Sequence, residues 1–127
     1  MKKKVTRSAE LRFKALPGRN SADPFGSDAN AGLSLRVVKM TRDPERSAHV
    51  HPHSAEAVYV VAGHGTLWID GVRTPISAGD TFLVPAGAKH ATLPDPDSDM
   101  ELICFFPHSD LSQNMIEIPG VVTVEES

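Results

Sequence analysis

The chain has a single cysteine, Cys104, among 127 residues, so an intramolecular disulfide framework is excluded. No window approaches 18 consecutive apolar residues, which argues against a membrane-spanning helix. The basic start is followed by residues 9–14, which do not form the apolar segment that a signal peptide needs. We therefore expect a cytoplasmic protein without a membrane partner.

The chain also lacks an excess of positive charge. Thirteen Lys and Arg are outnumbered by sixteen Asp and Glu, so the formal charge of −3 does not indicate a nucleic-acid-binding surface. Convincing amphipathic helices are missing as well. The Gly63-His64-Gly65 stretch lacks the third glycine and the helix of a nucleotide-binding loop, so nucleotide phosphates are not expected there.

Turn residues and short apolar runs are plentiful instead. Nine Gly and ten Pro separate runs that recur every 8–12 residues, which is typical of an all-β sandwich or barrel. Asp70-Gly71 predicts a tight hairpin, and Pro75 in its second arm predicts an edge strand. The predicted strands are Leu33–Thr41, Ala57–Ala62, Thr66–Ile69, Val72–Ile76, Thr81–Val84, His90–Leu93 and Met100–Phe106.

The pattern divides the chain at residue 32. Residues 1–32 hold two clusters of helix- and strand-breaking residues, 17–21 and 23–28, and predict an irregular N-terminal arm that can add an edge strand. Residues 33–127 predict one β-barrel domain. Its tail, Met115–Val124, can add a strand on either side of Pro119-Gly120.

Histidine is concentrated in one place, because three of six histidines fall within residues 49–53. His49 and His51 point to the same face of an extended strand, and Glu56 opens the next strand. Two imidazoles and a carboxylate suit a divalent metal, while ordinary hydrogen-bonded histidines remain the alternative on spacing alone. His53 continues the alternation, but Pro52 interrupts the strand before it.

Two spaced blocks carry a family resemblance. His49-X-His51-X4-Glu56-X6-Gly63 is followed by Gly79-X5-Pro85-X-Gly87-X2-His90. These blocks resemble the paired motifs of the cupin superfamily, and the likeness extends over roughly residues 33–106. It implies a small single-domain cupin, an all-β jelly-roll of double-stranded antiparallel β-barrel type.

The resemblance also implies the members of a metal site. His49, His51, Glu56 and His90 match the four protein ligands of one metal ion in that family. Two positions depart from the motifs. Asp43 stands where the first motif begins with Gly, and Pro94 stands where the second ends in Asn; neither position is a ligand, so the metal site is expected to survive.

Three His and one Glu leave up to two positions open on a six-coordinate ion, as a catalytic metal requires. Mixed N and O donors suit Fe, Mn, Ni, Zn, Co or Cu, and the sequence does not choose among them. We expect a metal-dependent enzyme acting on a small oxygen-bearing organic substrate, either a dioxygenase or a lyase or isomerase that uses the metal as a Lewis acid. A non-catalytic protein that binds metal or a small ligand is the alternative.

The neighbourhood of the site looks apolar. Val58, Val60 and Thr92 should face inwards beside the ligands, which leaves His53 as the best general base or acid. Cys104 lies in an apolar run, which predicts that its thiol is buried and inert.

The resemblance also implies a homodimer. Outward-facing apolar residues such as Tyr59, Val61 and Trp68 are compatible with a dimer interface.

Overall fold

The computed structural model describes residues 5–25, 32–42, 45–108, 115–118, 120 and 122–123. Within these ranges the only helical element is a single 3₁₀ turn, Ser8–Glu10, and every strand pair is antiparallel. No helix in the described part of the chain is long and apolar enough to cross a membrane. The all-β prediction is confirmed.

The larger sheet has six strands in the order β1-β2-β3-β11-β6-β9. Its central strands alternate buried and exposed side chains, because one face packs into the core and the other meets solvent. The bounds are β1 Phe13–Leu16, β2 Arg19–Ala22, β3 Ser34–Met40, β6 Glu56–Ala62, β9 Thr81–Val84 and β11 Met100–Phe106.

The smaller sheet has five strands in the order β12-β5-β10-β7-β8. β7 and β8 form the predicted hairpin, in which Asp70 and Gly71 both adopt positive φ, and β8 with Pro75 is an edge strand as predicted. The bounds are β5 His49–Val50, β7 His64–Ile69, β8 Val72–Ser77, β10 His90–Pro94 and β12 Ile116–Glu117, while a separate two-stranded ribbon pairs β4 Glu45–Arg46 with β13 Val122–Thr123.

The main core lies between the two large sheets. Val38, Val60 and Leu102 come from the six-stranded sheet, and Leu67 and Ile76 meet them from the five-stranded sheet. Burial of this apolar surface is the main favourable term in folding, and it fixes the sheets face to face as in a jelly-roll.

The N-terminal arm contains more structure than its sequence indicates. β1 and β2 form a hairpin that pairs through β2 with β3, so it extends the edge of the six-stranded sheet by two strands. The breaker residues Pro17 and Gly18 form its turn, with Gly18 at φ 75°. The division of the chain into an arm and a domain at residue 32 stays a prediction.

The C-terminal tail supplies two short strands, β12 and β13, one on each side of the predicted break. Ile118 and Val122 cover a second, smaller apolar cluster made by Ala91, Leu93 and their neighbour Ala48. Trp68 packs against the same cluster. This residue therefore contacts the interior of its own chain, although the sequence analysis considered it for a dimer face.

Asp80 stabilises the turn between β8 and β9. Its Oδ2 accepts a hydrogen bond of 2.8 Å from the backbone N–H of Ser77. We expect Asp80→Ala to lower the free energy of unfolding by about 1 kcal/mol, because this exposed bond to a carboxylate is lost. Urea unfolding measures the change. Asp80→Asn keeps an acceptor and should lose less; equal losses in both variants would show that the bond contributes nothing.

Candidate metal centre

Four side chains from both sheets converge at one end of the core. His49 lies in β5, His90 begins β10 directly opposite it, and Glu56 begins β6 on the facing sheet. His51 follows β5 in the connection to β6. One ligand atom from each of these four residues lies within 4.8 Å of all the others.

The distances within this group are short. Nε2 of His90 lies 3.0 Å from Oε1 of Glu56, and Nε2 of His51 lies 3.6 Å from the same oxygen. The ring centroids of His49 and His90 are 4.1 Å apart. His51, Glu56 and His90 are almost fully buried. Structure and sequence therefore agree on which four side chains come together.

The pKa values of Glu56 and His49 are shifted in the direction that favours the protonation states required for metal binding. Burial tends to raise the pKa of Glu56, but the neighbouring imidazoles of His51 and His90 outweigh it and hold that pKa below its ordinary value. Burial, reinforced by the charge of His90, lowers the pKa of His49 to about 2. A neutral imidazole and an ionised carboxylate are the states that bind metals.

This donor set fits one divalent transition metal ion. Ligand atoms about 2.1 Å from an ion lie about 3.0 Å apart at a right angle and about 4.2 Å apart when opposite. The distances of 3.0 and 3.6 Å from Oε1 of Glu56 to His90 and His51 fall in that range, and all four ligand atoms lie within 4.8 Å of one another. Three imidazoles and one carboxylate are also the donor types that Fe, Mn, Ni, Zn, Co and Cu accept in proteins.

Two further contacts hold the imidazoles in place. Nδ1–H of His90 donates a hydrogen bond of 3.2 Å to the carbonyl of Ala88, which directs Nε2 at the centre of the group. A bond of this kind fixes the orientation of a ligating imidazole. The ring of His51 meets the ring of Phe106 edge to face, with centroids 4.9 Å apart.

A cavity of about 500 Å³ opens beside the four residues. Its apolar wall includes Val38, Val58, Phe82, Leu102 and Phe106. A space of this size is in the range that holds small organic ligands. The site therefore combines a group of metal-binding character with room for a second molecule.

Cys104 also faces the cavity. The residue is buried, as predicted, and burial together with the negative charge of Glu56 raises the pKa of its thiol. The thiol therefore keeps its proton next to Glu56. The sequence prediction described an inert thiol but did not place it at the site.

Basic side chains also line the cavity, which the sequence analysis missed because it expected an apolar surrounding. Three of them, Arg12, Lys14 and Arg19, lie on or beside the N-terminal hairpin. The spacing of Arg12 and Lys14, two residues apart, is a sequence signal that could have indicated a basic face. The basic residues of the lining are Arg12, Lys14, Arg19, Arg36 and Arg46.

His53 is not brought to the group. Residues 52 and 53 form a turn, so the alternation of β5 ends at His51 and the side chain of His53 is exposed. Among the described residues, His53 belongs neither to the four-residue group nor to the cavity lining. Its role as general base or acid stays a prediction, with no support from its position.

The two departures from the family motifs have different outcomes. Pro94 is fully buried at the end of β10, where it pairs with Gly65 of β7. Asp43 lies outside the described residues.

A second group with metal-binding atoms, His64 with Asp95 and Asp97, lies in a more exposed position, where His64 pairs with Asp95 at 2.5 Å.

Comparison with known proteins identifies the class that this fold and site define. The family model for the cupin domain (Cupin_2) matches residues 37–106. The chain therefore belongs to the cupin family, and the family resemblance of the two motif blocks is confirmed.

Individual relatives are more distant. Protein SchB from Streptomyces halstedii is 36% identical over 76 residues, which make up 59% of this chain and 55% of SchB, so the match spans about half of that relative's length. The nucleoside dehydratase Pac13 superposes with a TM-score of 0.75 at 18% identity, covering 91% of each chain. A Streptomyces PAC13 variant with uridine gives a TM-score of 0.76 at 18% identity over 93% of this chain and 92% of that one.

A third similar structure is a predicted oxalate decarboxylase from Thermotoga maritima. It has a TM-score of 0.69 and 22% identity, covering 80% of this chain and 96% of its own. Structural likeness at these identities establishes the shared fold, and the chemistry of this chain has to be argued from its own site.

Proposed function

We propose that this cupin is a metal-dependent enzyme in which His49, His51, Glu56 and His90 hold one divalent transition metal ion. The observation that carries the proposal is the convergence of four donor atoms within 4.8 Å, next to a cavity of about 500 Å³. The substrate is a small oxygen-bearing organic molecule. The reaction is that of a dioxygenase, or of a lyase or isomerase.

A bound metal of this kind supplies Lewis acidity towards substrate oxygens or, in the case of iron, the means to bring substrate and O2 together. The chain's own residues prepare the site for it. The carbonyl of Ala88 orients His90, and the ring of Phe106 supports His51. Glu56 provides the negative charge of the group.

Apolar side chains form part of the cavity wall next to the metal group. Val58, Phe82 and Leu102 present apolar surface, which lowers the local dielectric constant and strengthens the interactions of polar groups inside. Ser47 and Thr92 add hydroxyl groups to the lining, and the thiol of Cys104 keeps its proton. These groups can orient a substrate but do not supply a strong base.

The scarcity of bases favours reactions in which the metal polarises the substrate. The similarity to Pac13, a nucleoside dehydratase, supports the lyase branch of the proposal, because a dehydration is a lyase reaction. Two of the similar structures are PAC13 variants with uridine. Nucleosides therefore belong in the substrate panel.

A non-catalytic protein that binds metal or a small ligand is the second candidate. The exposed position of His53 favours it, because the best acid–base residue predicted from the sequence does not reach the cavity. The two candidates share the metal site and differ only in turnover.

Turnover by metal-defined protein separates the two candidates. Metal-free protein is loaded with Fe(II), Mn, Ni or Zn and offered catechols, diols, β-diketones, hydroxy acids, sugars and uridine. We expect one metal form to consume a substrate, with O2 uptake for a dioxygenase and without it for a lyase or isomerase. His90→Gln should abolish this turnover, whereas His108→Gln, an exposed histidine outside the group, should retain it.

Metal binding without turnover in any of these forms would contradict the enzyme and leave the binding protein. A chain that binds none of the metals would contradict both candidates.

The homodimer and the cytoplasmic location implied earlier stay predictions. The outer face of the six-stranded sheet supports self-association, because Tyr59, Leu83 and Phe105 expose apolar surface on neighbouring strands. Sheet faces of this kind commonly take part in protein contacts.

A further inference from the structure

The cavity is more basic than the chain as a whole. The protein carries a net negative charge, yet five basic side chains line the cavity against two carboxylates, Asp23 and Glu56. A concave surface lined by one sign of charge focuses the electric field and attracts ligands of the opposite sign. The question is which of these cations are available to a ligand.

Three of the five cations are engaged by an ion pair or by two or more backbone carbonyls. Arg36 forms an ion pair of 3.3 Å with Asp23. Nη1 and Nη2 of Arg46 donate to the carbonyls of Gly18 and Thr41 at 3.0 and 3.1 Å, which holds the turn of the N-terminal hairpin. Nη1 of Arg12 donates to carbonyls of the preceding 3₁₀ segment.

Arg19 and Lys14 differ from these three. Arg19 donates to the carbonyl of Pro17 at 2.9 Å and contacts the sulfur of Met115 at 3.6 Å, but within the described part of the chain it meets no carboxylate. For Lys14, the described residues include neither an ion-pair nor a hydrogen-bond partner. Both side chains line the cavity.

The register of the hairpin places the two cations together. Lys14 of β1 pairs with Ser21 of β2, so it is the diagonal neighbour of Arg19 on the same face, with backbones roughly 7–8 Å apart. Phe13, on the opposite face, contacts Lys39 instead. Lys14 and Arg19 thus form a cationic pair directed at the cavity.

The cationic pair and the metal group lie at different positions along one space. β2 is separated from β6, the strand of Glu56, by three strand spacings, roughly 14 Å. Arg19 and Lys14 line the same cavity as His49, His51, Glu56 and His90. A molecule in the cavity can therefore contact both.

We propose that the ligand of this cavity is an organic anion, whose carboxylate or phosphate group binds Arg19 and Lys14 while oxygens at its other end face the four-residue group. The position of the second end rests on the proposed function. The anion site itself rests on the two cations of the hairpin. Uncharged molecules of the same shape bind more weakly, because they make no charge-assisted hydrogen bonds with these cations.

Calorimetry with matched probes tests this inference. Zinc-loaded protein, which is redox-inert, is titrated with dihydrocaffeate, whose vicinal hydroxyls and flexible carboxylate arm suit the two ends, and with its neutral amide. We expect the carboxylate to bind about ten- to a hundred-fold more tightly than the amide. The phosphonate analogue shows whether carboxylate or phosphate is preferred, and tight binding of either supports the anion site.

Variants locate the effect. Arg19→Gln and Lys14→Gln should each reduce the preference for the acid at unchanged zinc content, and the double variant should remove it. Arg42→Gln is the matched control, because Arg42 pairs with Asp99 at the surface and does not line the cavity. Equal binding of acid and amide, or a preference that survives in the double variant, would overturn the inference.

The same comparison separates this inference from the proposed function. A chain that binds no zinc contradicts the metal site, and the acid–amide comparison on metal-free protein then decides the anion site alone. Normal zinc binding without an acid preference contradicts only the anion site.

Discussion

A Glu56→Gln variant is expected to bind zinc more than about a hundred-fold more weakly than the unchanged protein. Glu56 supplies the single negative charge of the group, and Oε1 is the atom that His51 and His90 both approach. Glutamine keeps the shape but loses the charge that attracts a cation. Changes to residues that only support a metal ligand already cost about 10- to 100-fold in affinity, so loss of a ligand should cost more.

Competition with a chelator of known zinc affinity measures this effect. His108→Gln is the control, because it removes an imidazole that lies outside the group. Cooperative thermal unfolding of the metal-free Glu56→Gln protein shows that the fold persists. An affinity within threefold of the unchanged protein would mean that Glu56 is not a ligand.

Gly63→Ala should lower the free energy of unfolding by about 3 kcal/mol, the largest expected effect on stability. Gly63 has φ +85°, which favours glycine, and a Cβ there would lie 1.9 Å from the carbonyl oxygen of Asp99. This contact is with backbone, so neither atom can move away without disturbing the pairing of β6 with β11.

Gly79 provides a matched comparison. Its φ is +94°, but a Cβ there would meet no atom within 4 Å. Gly79→Ala therefore carries only the conformational cost, about 1–2 kcal/mol. Chemical denaturation measures the free energy of unfolding of both variants, and the difference between them is the cost of the steric contact at Gly63. Equal decreases in both variants would show that backbone conformation alone matters there.

The strands of the main domain were predictable because short apolar runs alternate with turn residues along the sequence. Thr81–Val84 and Met100–Phe106 have the predicted bounds. Gly63, Gly71, Gly79 and Gly87 lie at strand ends and adopt positive φ. Gly65 is different. It is required for space, since a Cβ would lie 2.3 Å from the carbonyl oxygen of Leu93, and sequence spacing does not reveal such a contact.

The N-terminal hairpin was not predictable in the same way. β1 has no buried residue and β2 has one, Ala22, so neither strand shows the alternation of a packed strand. β2 is held by hydrogen bonds to β3, which is a tertiary effect, and β1 by hydrogen bonds to β2. The basic lining of the cavity was missed for the same reason, because Lys14 and Arg19 reach it through this hairpin.

The membership of the candidate site was predictable from motif spacing, whereas the position of His53 depended on local geometry. His49, His51, Glu56 and His90 lie together as the resemblance implied. The turn at Pro52 and His53 then directs the third clustered histidine to the surface. Alternation along a strand predicts facing residues only as far as the strand continues.

Anomalous diffraction from crystals soaked in zinc tests the metal centre most directly. We predict one strong peak about 2.0–2.2 Å from an imidazole nitrogen of each of His49, His51 and His90 and from a carboxylate oxygen of Glu56. The exposed group of His64, Asp95 and Asp97 offers an internal comparison. A peak at that group with none among the four buried residues would contradict the account.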